Sequence, residues 1–137
     1  MITAAQSLLQ TGRQRQELEN RTQLRIPKPL GVTQLQTTVT TIYTAGDAAD
    51  FEIGGLIASN VTGGASTITI YFVPPAGTAG TANAVAVAVA LAANSVTRLS
   101  QFDGMILRPG AFIQALCGAN DAVNLTGWGY DYQGAYA

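Results

Sequence analysis

The feature that most constrains this chain is an alternation of side chains with a period of two residues, which begins near residue 35. The clearest example is the segment 66–73, in which Ile68, Ile70 and Phe72 occupy every second position. In a strand, successive side chains point to opposite faces, so these three residues share one face, whereas on a helix they would be scattered around its axis. The alternation therefore predicts a body built from strands.

Segments with this pattern recur at short intervals, and turn-forming residues separate them. Gly, Pro, Asn and Asp lie between them, and Gly54-Gly55 inside one segment indicates a bulge. Seven or eight such strands predict a mainly-β fold, an antiparallel sandwich of the jelly-roll type. In the segment 83–91, valines alternate with alanines, which favours a strand with Val85, Val87, Val89 and Leu91 on one face and with both faces covered. The predicted strands are 35–43, 51–60, 66–73, 83–91, 95–100, 111–117 and 122–132, with a short apolar segment at 105–107.

The first 34 residues differ from this body. Residues 3–19 are mostly good helix formers, and Pro27 and Pro29 then favour an extended stretch. We therefore expect an N-terminal arm at 1–34 and a sandwich body at 35–137, with a disordered tail as the alternative reading of the arm. Five cations and two glutamates give residues 1–28 a net charge of +3, so the arm is a candidate interface through Arg13, Arg15, Arg21, Arg25 and Lys28.

A basic arm can bind nucleic acid, an acidic protein face or nothing. The interleaved glutamines and glutamates make nucleic acid the weaker of these readings. Residues 29–137 carry a net charge of −4 from only eight charged residues. A surface with so few ionic groups loses little hydration when it is buried, so we expect a protein that packs against other chains.

The composition argues against catalysis. The chain has no histidine, which removes the commonest general base and most transition-metal sites. The single cysteine, Cys117, lies in an apolar run and is expected to be a buried small hydrophobe. We therefore expect no catalytic residue, no metal and no cofactor. The longest apolar run has ten residues, against about 20 for a spanning helix, so no membrane partner is expected.

Two clusters remain as candidate sites. The first is acidic, consisting of Asp47, Asp50 and Glu52, and its spacing fits a solvated turn better than a calcium loop. The second is an aromatic stripe on the last predicted strand, formed by Trp128, Tyr130 and Tyr132. Such a stripe can be core, a subunit interface or a platform for sugars. Glycines alternate with it, which indicates a crowded opposite face.

Three parts of the body resemble a known class of protein. They are the strand pair through 57–60 and 67–74, the segment Gly104–Ala115 with its Leu-x-Pro-Gly turn, and the closing strand Ala122–Tyr130. Together, over roughly residues 36–132, they are similar to small β-sandwich proteins of tailed-bacteriophage virions, such as capsid cement or decoration proteins, head fibres and tail accessories. In that class an acidic residue often follows the turn glycine, where this chain has Ala111.

The resemblance implies a homo-oligomer, commonly a trimer, on the surface of a capsid or tail, with the major capsid protein or another virion subunit as partner. It transfers no catalytic residues. A capsid cement or decoration protein is the leading hypothesis, and a tail, head–tail junction or fibre-base component is the nearest alternative. A carbohydrate-binding module that uses the aromatic stripe is the alternative from another class.

Overall fold

The fold is an antiparallel β-sandwich. The computed structural model describes residues 24–46 and 49–133, and these form nine strands and one 3-10 turn at Ser100–Phe102. The predicted mainly-β sandwich is confirmed. The strands are β1 (Leu24–Gln34), β2 (Thr40–Thr44), β3 (Asp50–Asn60), β4 (Ser66–Val73), β5 (Ala84–Leu91), β6 (Ser95–Arg98), β7 (Ile106–Leu107), β8 (Phe112–Cys117) and β9 (Val123–Gln133).

The strands form two sheets. Sheet I has the order β1-β9-β3-β6, with the short β7 paired to β3, and sheet II has the order β2-β8-β4-β5. Four of the antiparallel pairs are nested in sequence: β4 with β5, then β3 with β6, β2 with β8, and β1 with β9. Each pair encloses the previous one, as in a long hairpin rolled into two Greek keys. This is the strand order of a jelly roll, as the spacing of the turns predicted.

The core lies between the sheets and is filled by the inward positions of the alternating pattern. Phe51, Ile53 and Leu56 of sheet I meet Ile68, Ile70 and Ile113 of sheet II, and all six are fully buried. Burial of an apolar side chain of this size contributes about 1.5–3 kcal/mol, so these positions dominate the stability of the fold. The expectation that Cys117 is a buried small hydrophobe is confirmed, since it is 1% exposed.

The boundary of the arm differs from the expectation. Residues 24–34 are not outside the sandwich, because they form β1 and pair along β9 from Leu24↔Gln133 to Gln34↔Asn124. Pro27 and Pro29 are tolerated because β1 lies at the end of the sheet order, where an N–H on the outer side has no ladder partner to lose. The helix expected over residues 3–19 lies outside the described residues, and that part of the arm stays a prediction.

The strand predicted over residues 83–91 is present as β5, but its valines do not share a face. Ala88 has a positive φ of 47°, and its N–H donates to Thr69 Oγ1 at 3.0 Å. The register shifts there, so Val87 points outward while Val89 packs against the core. β5 lies at the end of sheet II, and its outer side is exposed instead of covered, contrary to the expectation.

The first predicted strand of the body is also shorter than expected. β2 begins at Thr40, and Leu35 lies in the preceding loop. Leu35 is nevertheless fully buried, and its N–H donates to the carbonyl of Val123 at 2.8 Å. The bulge expected at Gly54-Gly55 is confirmed by a register shift between Ile53 and Gly55 in the β3–β9 ladder.

Candidate protein-interaction faces

The aromatic stripe lies on the outer face of sheet I. The odd-numbered residues of β9 point into the core, and the even-numbered ones, including Trp128, Tyr130 and Tyr132, are half-buried on the outside. Across the ladder, Pro27 lies opposite Tyr130 and Pro29 opposite Trp128. These three aromatic residues, together with the cations that contact them, are called the aromatic face below. The stripe is therefore part of the surface and not of the core.

Trp128 lies flat on the bulge of β3. A Cβ atom built on Gly55 would be 2.8 Å from Trp128 Cζ2 and 3.0 Å from Cζ3, and one built on Gly54 would meet the indole nitrogen. The two glycines therefore provide the space that the indole occupies, which a larger residue would close. From β6, which pairs with β3, the Arg98 guanidinium carbon lies 5.2 Å from the centre of the indole ring. Trp128 is thus fixed in place by glycine backbone and by one arginine.

Tyr130 and Tyr132 are held by a small charged network. The Arg25 guanidinium lies over the Tyr130 ring at 3.7 Å, and it also pairs with Glu52 Oε2 at 3.1 Å. The hydroxyl of Tyr132 donates to the same carboxylate oxygen of Glu52. That hydrogen bond, followed by burial, raises the pKa of Tyr132 above its ordinary value. The network aligns β1, β9 and β3 side by side and leaves the arginine stacked on an aromatic ring.

A second polar cluster joins the two sheets. Asp131 points inward from β9 and is only 8% exposed. Its Oδ1 accepts a 3.0 Å hydrogen bond from the hydroxyl of Tyr43 on sheet II, and its Oδ2 is 3.5 Å from Lys28 Nζ. Burial, then the hydrogen bond and charge of Asp131, raise the pKa of Tyr43 to about 12. This cluster satisfies a carboxylate that would otherwise be costly to bury.

The predicted interface residues therefore fall into three groups. Arg25 joins Trp128, Tyr130 and Tyr132 on the aromatic face, because β1 lies next to β9 and Arg25 is opposite Tyr132 in that ladder. Lys28 does not join them, because its side chain contacts Asp131, which points inward from β9. The predicted candidates Arg13, Arg15 and Arg21 lie outside the described residues.

The acidic cluster differs from the expectation of a solvated turn. Asp50 and Glu52 belong to β3, and each pairs with an arginine: Asp50 with Arg108 at 3.7 Å and Glu52 with Arg25 at 3.1 Å. Asp47 lies outside the described residues. In the described part of the chain no group of three or more His, Cys, Asp or Glu side chains is placed to hold a metal ion.

Sequence reasoning missed several residues of these clusters, among them Asp131, its partner Tyr43, and Arg98. Asp131 is a charged residue at an inward position between two outward tyrosines, and that break in the alternation was a readable signal. Arg98 gave no signal, because its place beside Trp128 depends on the pairing of β3 with both β6 and β9. Neither contact can be inferred from spacing along the chain.

The outer face of sheet II has a different chemistry. The four strands of sheet II contain no charged residue, whereas sheet I carries all six charged strand residues: Arg25, Lys28, Asp50, Glu52, Arg98 and Asp131. The outward positions of sheet II are hydroxyl, amide and apolar side chains, and Gln114 Nε2 donates to Thr41 Oγ1 at 3.0 Å. This surface, called the neutral face below, consists of Thr41, Thr67, Tyr71, Val85, Val87, Ala90, Gln114 and Leu116.

No family model matches the sequence, and no curated protein does either. Searches of solved structures find weak likenesses. One is to a chain from disulfide-linked pili of Bacillus endospore appendages, with 13% identity and a TM-score of 0.47 over 80% of this chain and 89% of that one. Another is to a chain of infectious bursal disease virus strain Gx, with 18% identity and a TM-score of 0.46 over 82% of this chain.

A chain of strain Gt of the same virus gives 14% identity and a TM-score of 0.44. This protein spans about a third of the viral chains, 31% and 34% of their lengths. All three TM-scores are below 0.5, so these likenesses carry no function to this chain. In the described residues, no helix is long and apolar enough to cross a membrane. The chain is therefore characterised by its own geometry, as a jelly-roll sandwich with one charged, aromatic face and one neutral face.

Proposed function

We propose that this chain is a non-enzymatic structural subunit of a virion, and that it acts as a cement or decoration protein on the surface of a phage capsid. The observation that carries the proposal is the charge asymmetry of the two sheets. Each charged group that loses its water on binding must be compensated by a partner, and the neutral face has none to compensate. A jelly roll with such a face is suited to permanent contact with other chains.

The aromatic face supports a second contact. Tryptophan, tyrosine and arginine are the residues that most often dominate the binding energy of protein interfaces. Trp128, Tyr130 and Arg25 combine all three types within one half-buried surface. Trp128 lies against glycine backbone, Arg25 forms an ion pair with Glu52, and Tyr130 lies under the Arg25 guanidinium. Side chains that are fixed before binding lose less conformational entropy on binding, so the face is prepared for a protein partner.

The same geometry favours a protein partner over a sugar. A sugar ring stacks on the open face of an aromatic side chain, and the face of Tyr130 under Arg25 is already occupied. One face of Trp128 lies against Gly54 and Gly55. A carbohydrate stacked on this face of Tyr130 would have to displace Arg25 from both Tyr130 and Glu52, which costs an ion pair and a cation–π contact.

Quantitative mass spectrometry of purified particles tests the proposal. Particles from the cells that make this chain would be banded on a density gradient, and the copy number of the chain would be measured against the major capsid protein. We expect hundreds of copies per particle. A few copies per particle would instead indicate a tail, head–tail junction or fibre-base component, and none would refute a virion role.

A truncation tests the arm that the sequence predicts. Since residues 24–34 are a strand of sheet I, the deletion must stop before Leu24, and removal of residues 1–23 leaves every described strand intact. We expect the truncated protein to keep its fold, as measured by its urea midpoint, and to bind particles more weakly than the full chain. Equal binding by the two forms would show that residues 1–23 do not contribute to particle binding, which would then be assigned to the aromatic face and the neutral face.

A further inference from the structure

We propose that the neutral face of sheet II is the surface through which copies of this chain contact one another, so that its occupant is a second copy of the same protein. The inference rests on the proposed structural function and assigns a specific surface to its self-association. It is argued from the placement of charge, from the edges of the sheets and from the size of the face.

The first argument is electrostatic. In a two-fold contact between identical subunits the same patch is buried on both copies, so a charge on that patch must find a complementary charge within the patch or be left uncompensated. Residues 53–97, which include β4 and β5, contain no charged residue, and neither do β2 and β8. The neutral face therefore meets a copy of itself without repulsion and without an uncompensated ion.

The aromatic face does not share this property. On it Arg25 and Arg98 flank the stripe, and their partners Glu52 and Asp103 lie in the same subunit. Self-contact through that face would bring two sets of already paired charges together and would remove their water with no new partner gained. Of the two outer faces, the neutral face is therefore the one with the smaller desolvation penalty when it is buried against a second copy.

The second argument comes from the strand edges, which are poorly suited to adding a strand from another copy. In β5 the ladder to β4 shifts register twice, at Ile68/Ile70 and at Ile70/Tyr71. In β1, Pro27 and Pro29 have no N–H to donate, and the ladder shifts between Pro29 and Val32. Bulges and prolines at sheet edges prevent edge-to-edge pairing. The edge strand β2 also shifts register, between Thr41 and Tyr43, and the edge strand β6 has only four residues. No edge therefore offers a long regular ladder to a second copy, which leaves the outer surface of sheet II as the place where copies meet.

The third argument is the area of the face. The four strands have 5, 6, 8 and 8 residues. At a rise of about 3.3 Å per residue and a spacing of about 4.8 Å between strands, they cover about 430 Å² in projection. The accessible area of a corrugated side-chain surface exceeds its projection, so the face approaches the roughly 800 Å² per partner that a specific interface buries. Val87, which is 70% exposed, lies at an outward position of this surface and supplies apolar area for the contact.

The test is a charge placed on each face in turn. Val87→Asp puts a carboxylate on the neutral face, and Val96→Asp is the matched control, because Val96 lies on the outer side of β6 in sheet I and is 73% exposed. Ala90→Lys, on the exposed side of β5, repeats the test with the opposite charge. Both valines are exposed in the monomer, so each variant should keep the urea midpoint of the native chain.

Sedimentation velocity over a range of concentrations would measure the dissociation constant of the oligomer. We expect Val87→Asp and Ala90→Lys to raise it by at least about 100-fold, since each buries an unpaired charge, and Val96→Asp to change it less than about threefold. A native chain that stays monomeric at a concentration on the order of 100 µM would overturn the inference. So would a Val87→Asp protein that associates as tightly as the native one.

Particle binding separates this inference from the proposed function. If the variants dissociate as expected but neither they nor the native chain is found in particles, the self-contact stands and the virion role fails. If the native chain is found in particles and Val87→Asp leaves its self-association unchanged, the virion role stands and the neutral face is not the contact between copies.

Discussion

Gly129 is the position at which a single methyl group should do most damage to this fold. Gly129 lies on the inward side of β9, and a Cβ atom added there would be 2.7 Å from Phe51 Cε2, closer still to Phe51 Cζ, and in contact with the backbone oxygen of Glu52. The Phe51 ring is fully buried and packs against the tilted ring of Tyr43 with 4.2 Å between ring centres, so it has little room to move away.

The magnitude follows from these two obstacles. Forcing an extra methyl group into a packed core costs about 1–3 kcal/mol, and here one of the obstacles is backbone, which cannot rotate aside. Replacing glycine by alanine also restricts the unfolded chain, which returns about 0.4–1 kcal/mol where the site is compatible. Taking the upper end of that cost less this return, we expect Gly129→Ala to lower the free energy of unfolding by about 2 kcal/mol, or the melting temperature by about 7 °C.

Urea unfolding monitored by the fluorescence of Trp128, the only tryptophan, gives the midpoint directly. The matched control is Gly63→Ala, because a Cβ atom there meets nothing within 4 Å. We expect the control to unfold within about 0.5 kcal/mol of the native chain. If Gly129→Ala were as stable as Gly63→Ala, the close approach of β9 to Phe51 would be refuted.

A double-mutant cycle identifies the obstacle. In a Phe51→Leu background the ring is gone, so Gly129→Ala should cost less than it does in the native chain. The cost should not disappear, because the carbonyl of Glu52 remains in place. A cycle with no coupling would show that the ring and the methyl group do not meet.

Three further outcomes follow from the site. The pKa of Tyr43 is raised to about 12, so between pH 10 and 12 the folded state keeps a proton that the unfolded state has lost. The free energy of unfolding should therefore hold below pH 10 and fall as the pH rises from 10 to 12. In urea titrations across that range, the free energy of unfolding of Tyr43→Phe should fall less. The pair Arg25–Glu52 is partly exposed, so a double-mutant cycle in urea should give a coupling of about 1 kcal/mol or less, and a value of several would contradict this. Cys117 is buried, so its thiol should react slowly with a thiol reagent until urea unfolds the chain, and immediate labelling of the native protein would contradict its burial.

The sandwich could be predicted because alternation is a local property. The alternation predicted that Ile68, Ile70 and Phe72 share one face of a strand, and in the fold that face points into the core. The turns between strands are marked by residues that favour turns. The glycines beside the aromatic stripe likewise indicated a crowded face, which Phe51 provides at Gly129.

What could not be predicted depends on contacts between distant residues. Pro27 and Pro29 locally favour a linker, and only the ladder to β9, about a hundred residues away, makes them part of a sheet. The outward turn of Val87 depends on the hydroxyl of Thr69 in the neighbouring strand, which binds the N–H of Ala88. Glu52 falls within the predicted strand 51–60, but its ion pair with Arg25 could not be predicted, because Arg25 belongs to β1 and reaches Glu52 across β9. Register decides all three, and register is set by the whole fold.

The pairing of Leu24 with Gln133 brings the two ends of the described chain to one corner of the sandwich. A short linker between residues 24 and 133 would therefore close the described strands into a ring, and the ring could be reopened at the exposed loop through Gly63 and Gly64 between β3 and β4. Such a circular permutant would keep every strand while moving its new ends to that loop. Cargo fused directly to Leu24 or to Gln133 would sit at the same corner, beside the Arg25 end of the aromatic face.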